Sequence, residues 1–82
     1  MEPREWTYDD ILCALRLRGY TLHRIAAELG LSYAAARYGV RHGSTESLRM
    51  LVSTVVREPE WVLWRERFPP QWRQDGPPRA EK

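Results

Sequence analysis

The sequence predicts an all-α fold, a compact bundle of about five short helices containing a helix-turn-helix. Three observations lead there. Apolar residues recur at helical spacing in successive short segments; Thr, Ser and Gly punctuate those segments where caps belong; and no stretch makes a convincing strand. The chain has 82 residues, enough for one domain, and it carries no internal repeat. The expected division is a helix-turn-helix domain over residues 1–68 and a flexible C-terminal tail over 69–82, where QWRQDGPPRAEK loses its periodicity.

The first helix is expected over residues 8–18. Thr7 and Asp10 form a capping-box variant, Asp9 and Asp10 favour the dipole of the first turn, and Ile11, Leu12 and Leu15 supply the apolar face before Gly19 stops it. Thr21 caps a second helix with the stripe Leu22, Ile25, Ala26 and Leu29, ended by Gly30. Ser32 caps a third helix over residues 33–41, followed by the connection His42, Gly43 and Ser44. A fourth runs from Thr45 to about Val56 on Leu48, Leu51, Val52, Val55 and Val56. Pro59 opens a short fifth helix carrying Trp61, Val62, Leu63 and Trp64.

Two helices joined by a short glycine turn make a helix-turn-helix. Ala26 lies where the two helices come close and a larger side chain would separate them, and Gly30 reverses the chain at little steric cost. Ile25, Leu29 and Leu31 pack around the turn, and Ala36 and Val40 continue that packing on the third helix. With Ala36 and Val40 inward, Ala34, Arg37, Tyr38 and Arg41 fall on the far side. An ordinary solvated face would favour Glu and Lys. Small residues here permit close approach to a groove, and arginine and tyrosine reach bases and phosphates.

Charge points the same way. Residues 1–10 hold a net −3, residues 11–45 a net +4 and residues 46–82 a net +1, giving the overall +2. A basic central block suits a polyanion. Of the 13 cations only Lys82 is a lysine, which fits bidentate contact with phosphate and guanine and equally fits a GC-rich genome.

The DNA-contacting residues expected on these grounds are His23, Arg24, Ser32, Tyr33, Ala34, Arg37, Tyr38, Arg41 and His42. Arg37 and Tyr38 are placed at base edges. Arg41 is assigned to phosphate, Ser32 at the helix start meets a phosphate, and His23 and Arg24 lie along the backbone. Arg16 and Arg18 either serve the dipole of their own helix or touch phosphates, and both readings stand.

Other chemistries are disfavoured. Cys13 is the only cysteine, which excludes an internal disulfide, and its apolar surroundings place it in the core. His23 and His42 have no third ligand or carboxylate at usable spacing, and no phosphate loop, nucleophile triad or paired carboxylates occur. The expectation is no enzyme, no metal and no cofactor. No apolar run approaches the roughly 18 residues of a membrane span and MEPREW lacks a signal-peptide core, so a cytoplasmic protein is expected. A hydrophobic content of 43% and a charged content of 29% fit a globular chain.

Taken together, the motif IAAELGLS, with Trp6, Asp10-Ile11 and ALRLRGYTL before it and Trp64-Arg65-Glu66-Arg67-Phe68 after it, resembles the small phage-type DNA-binding regulators called Ner-like proteins. These belong to the wider lambda-repressor-like helix-turn-helix group. The resemblance runs from Trp6 to about Phe68. It implies a transcriptional regulator, most often a repressor of phage or prophage genes, that binds a double-stranded operator through its third helix. Ala36, where a larger aliphatic is usual, and Gly39 within the third helix depart from the pattern. Glycine weakens a helix interior by about 1 kcal/mol, so the third helix is expected to fray near its end until DNA holds it.

Trp6, Trp61 and Trp64 are expected to close the small core from both ends, with an exposed aromatic patch for self-association as the alternative; Trp72, in the tail, suits either role or neither. A homodimer on DNA fits the group, because paired subunits span two half-sites about one helical turn apart. The rival function is a helix-turn-helix reused as a protein-interaction adaptor that docks through the Trp61–Trp64 region.

Overall fold

The structure is a computed structural model that describes residues 5–72 and 76–77. Five α-helices follow one another: α1 (Tyr8–Leu17), α2 (Leu22–Leu29), α3 (Tyr33–His42), α4 (Glu46–Val56) and α5 (Glu60–Leu63), with a 3-10 turn at Arg65–Arg67. No strand occurs among the described residues, and the fold is all-α. Helix α1 stops one residue earlier than the sequence suggests and α3 continues one residue further.

The caps explain the boundaries. The Thr7 hydroxyl accepts from the Asp10 N–H at 3.1 Å while Asp10 Oδ2 accepts from the Thr7 N–H at 2.9 Å, a reciprocal capping box. Thr21 and Ser32 accept from the Arg24 and Ala35 N–H groups at 3.1 and 3.0 Å, starting α2 and α3. Helix α2 ends with Gly30 at φ 68°, where the Leu31 N–H turns back to the Ala26 carbonyl at 2.8 Å. Helix α4 ends on Arg57 at φ 67°, the one left-handed non-glycine residue among those described.

The core joins Ile11 and Leu15 of α1, Ile25 and Ala26 of α2, Ala36 and Val40 of α3, Leu48, Val52 and Val56 of α4, and Leu63 and Trp64. The interior positions read from helical spacing are the ones buried, with Leu12, Leu22, Leu29, Leu51 and Val55 packed at their edges.

Three expectations change. Cys13 is exposed rather than buried. Two residues along a helix is a rotation of about 200°, which turns Cys13 away from the face that Ile11 and Leu15 bury. Gly39 is buried, and a Cβ there would lie 2.7 Å from Leu48 Cδ1. The missing side chain is therefore what lets α4 approach α3, a packing role that helix propensity alone does not suggest. Third, Trp72 is not free of the domain: its ring stacks on Phe68 at 5.5 Å and meets Trp61 edge-on at 6.2 Å, and Gly76 is buried against Trp61. The remainder of the tail expected over 69–82 lies in large part outside the described residues.

The expected core role of the tryptophans divides. Trp64 is 5% exposed and belongs to the core. Trp6 packs against it half-buried, and Trp61 is half-buried beneath Trp72.

Candidate nucleic-acid interface

Gly30 and Leu31 reverse the chain between α2 and α3, and Ala26 at 7% exposure lets the two helices close on each other. With Ala36 and Val40 fully buried beneath it, α3 turns its opposite face to solvent. Tyr33, Ala34, Arg37, Tyr38, Arg41 and His42 line one shallow groove of about 480 Å³ on that face. All six are among the residues that the sequence singles out for DNA.

The aromatic rings on this face are not core residues left partly uncovered. Tyr33 is 45% and Tyr38 59% exposed, and each is backed by a histidine. His23 of α2 stacks on Tyr33 with ring centroids 4.4 Å apart, and His42 lies tilted against Tyr38 at the same distance. His23 is thereby joined to the start of α3. Ser32 uses its oxygen to cap α3, which leaves its O–H able to donate to a phosphate at the helix N-terminus.

The arginines differ in how firmly the fold holds them. Arg37 forms no hydrogen bond or ion pair among the described residues, so all its N–H donors are available. Arg41 sits 5.6 Å from the Tyr8 ring, a contact that steers the side chain without using its donors. Arg24 is the exception. Its Nε pairs with Glu28 at 3.0 Å, its Nη1 donates to the Gly19 carbonyl at 3.1 Å, and its guanidinium lies 4.1 Å from the Tyr20 ring. A backbone contact by Arg24 would have to use its remaining N–H groups. Arg18 Nη1 donates to the Ala14 carbonyl of its own helix at 3.4 Å, in line with the dipole reading for that residue.

Three contacts beside this face escape sequence reasoning. Trp64 Nε1 donates to the Val40 carbonyl, Arg67 Nε to the His42 carbonyl and Arg49 Nη1 to the Gly43 carbonyl. The segment Trp64–Phe68 is conspicuous in the sequence, but two of its partners lie 24 and 25 residues away and no periodicity encodes such pairings. No group of three or more His, Cys, Asp or Glu able to hold a metal occurs among the described residues. No helix of the described residues is long and apolar enough to cross a membrane.

Comparison with known proteins agrees with this geometry. A family model described as winged helix-turn-helix DNA-binding matches residues 5–80. No curated protein and no solved structure matches the chain. The wing that the description mentions has no strand to represent it among the described residues. With nearly the whole length matched and the helix-turn-helix in place, the chain belongs to the winged helix-turn-helix DNA-binding family.

Proposed function

We propose that this protein is a sequence-specific transcriptional regulator, acting as a repressor in a phage or prophage setting, that reads the major groove with α3. The observation that carries the reading is the exposed face of α3, where a free arginine, two exposed tyrosines and a small alanine line one groove. Ala34 admits the helix to the groove floor, Arg37 and Tyr38 meet base edges, and Arg41 and Ser32 meet phosphates. Tyr33 lies alongside, His23 and Arg24 follow the backbone from α2, and His42 does so from the end of α3. The repressor role and the phage setting rest on the resemblance of IAAELGLS and its flanks to the Ner-like regulators. The protein acts without enzymatic activity or cofactor, in the cytoplasm on the nucleoid. Pairing of two copies on adjacent half-sites supplies the affinity that one short helix lacks.

The rival adaptor reading keeps the same fold and docks a protein partner at residues 61–72. An NMR titration with duplex DNA separates the two. Amide shifts concentrated at residues 32–42 are expected. Silence there, with shifts at 61–72 on adding a protein partner, would replace DNA reading by the adaptor.

A further inference from the structure

Donors from the C-terminal half of the chain grip the end of α3. The last four carbonyls of a helix have no partner within it. In α3 the Gly39 carbonyl accepts from the Gly43 N–H at 2.7 Å, the Val40 carbonyl from Trp64 Nε1 at 2.8 Å and the His42 carbonyl from Arg67 Nε. Just past the helix, the Gly43 carbonyl accepts from Arg49 Nη1 at 2.6 Å. Two of the three side-chain donors are cations at the negative end of the helix dipole, which strengthens the grip.

Each donor is itself fixed. Arg49, with 18% of its side chain exposed, pairs with Glu60 of α5 at 3.0 Å. The Trp64 ring lies directly over Gly43, where a Cβ would come within 2.6 Å of Cγ. Arg67 belongs to the 3-10 turn that follows Trp64. These bonds add polar ties at the helix end to the apolar packing of Gly39 and Val40 against Leu48 of α4.

None of the three residues lines the groove formed by Tyr33, Ala34, Arg37, Tyr38, Arg41 and His42. We propose that Trp64, Arg67 and Arg49 are positioning residues for operator selection. They set where the last turn of α3 sits, and hence the pitch at which the helix carries Arg37 and Tyr38 to base edges. Bidentate base contacts tolerate little displacement, whereas phosphate contacts by long side chains tolerate more. The clamp therefore governs discrimination between sequences more than affinity for duplex in general. This inference rests on α3 being the reading helix.

The test uses the full chain, an operator obtained by selection from random duplex, and a random duplex as control. Arg67→Met keeps the stem and removes the donor. Trp64→Phe keeps a ring over Gly43 and removes the N–H. Binding is measured well below each variant's Tm, across a salt series, with Arg37→Ala in parallel. Arg67→Met is expected to weaken operator binding by about five- to ten-fold, with random-duplex affinity and salt slope unchanged. Trp64→Phe is expected to shift the operator-to-random ratio in the same direction. An equal loss on both duplexes, with the salt slope reduced by about one, would make Arg67 a direct phosphate contact and overturn the clamp. No change in the ratio for Arg67→Met, while Arg37→Ala relaxes it, would also overturn the clamp and leave the reading helix standing. No change for Arg37→Ala would overturn the reading helix itself.

Discussion

The indole N–H of Trp64 donates to the Val40 carbonyl at 2.8 Å, in a buried contact that ties the C-terminal segment to the end of α3. Removing that donor leaves a buried carbonyl unsatisfied, which costs about 1–3 kcal/mol. Trp64→Phe is expected to lower stability by that amount in urea denaturation. A C-terminal segment that merely rests on the core would let the variant match the parent protein.

Gly43 is constrained twice, by φ 63° and by the Trp64 ring 2.6 Å from where a Cβ would stand. Gly43→Ala therefore combines the left-handed penalty with overpacking, together at least about 2 kcal/mol. In a domain of this size that lowers Tm by about 8 °C or more, readable by thermal circular dichroism. Gly30, by contrast, has nothing within 4 Å of its Cβ position, so Gly30→Ala should cost only the left-handed term of about 1–2 kcal/mol.

Arg57 holds a left-handed conformation at φ 67° at the end of α4, where glycine is the usual residue. Arg57→Gly relieves that strain and gives back part of the gain by loosening the unfolded chain. The expected net effect is a stabilisation of roughly 0.5 kcal/mol, seen as a small rise in Tm. A fall in Tm would show that the Arg57 side chain contributes more than its backbone costs.

Gly39 is packed against Leu48 and the turn after it is held by Trp64, Arg67 and Arg49. Amides of residues 38–41 are accordingly expected to exchange slowly in the free protein, since opening them breaks core contacts. Exchange at near-random-coil rates without DNA would restore the frayed helix that glycine propensity alone suggests.

Most of the helical framework was legible because it rests on local signals. Thr7 with Asp10, Thr21, Ser32 and Gly30 each act within a few residues, and the core positions Ile11, Leu15, Ile25, Ala36 and Val40 repeat at helical spacing. The groove-lining residues of α3 were legible for the same reason, because fixing Ala36 and Val40 inward settles what faces out. Contacts between distant segments were not legible. Gly39 looks like a weak point until Leu48 is seen against it. Arg24 is a different case, since Glu28, Gly19 and Tyr20 all lie within five residues of it and the i,i+4 spacing to Glu28 already encodes that pairing. Cys13 misled because an apolar neighbourhood in sequence is not an apolar face in space.

Small side chains on the reading face also carry a prediction. Ala34 is exposed in the groove of α3, so Ala34→Glu should leave the fold and Tm unchanged. It would set a carboxylate against the polyanion and block close approach, weakening binding to every duplex by tenfold or more, on the order of 1.4 kcal/mol. Undiminished DNA binding by this variant would move the interface off α3.

The most direct test is the affinity of the parent protein and of Arg37→Ala for a selected operator and for random duplex, measured side by side. Arg37 is exposed, free of intramolecular bonds among the described residues and central to the groove, so its loss disturbs recognition without disturbing the fold. Arg37→Ala is expected to lose about 1–3 kcal/mol on the operator, little on random duplex, and to relax preference at one base position. Equal affinities of both proteins for both duplexes would contradict base reading by α3.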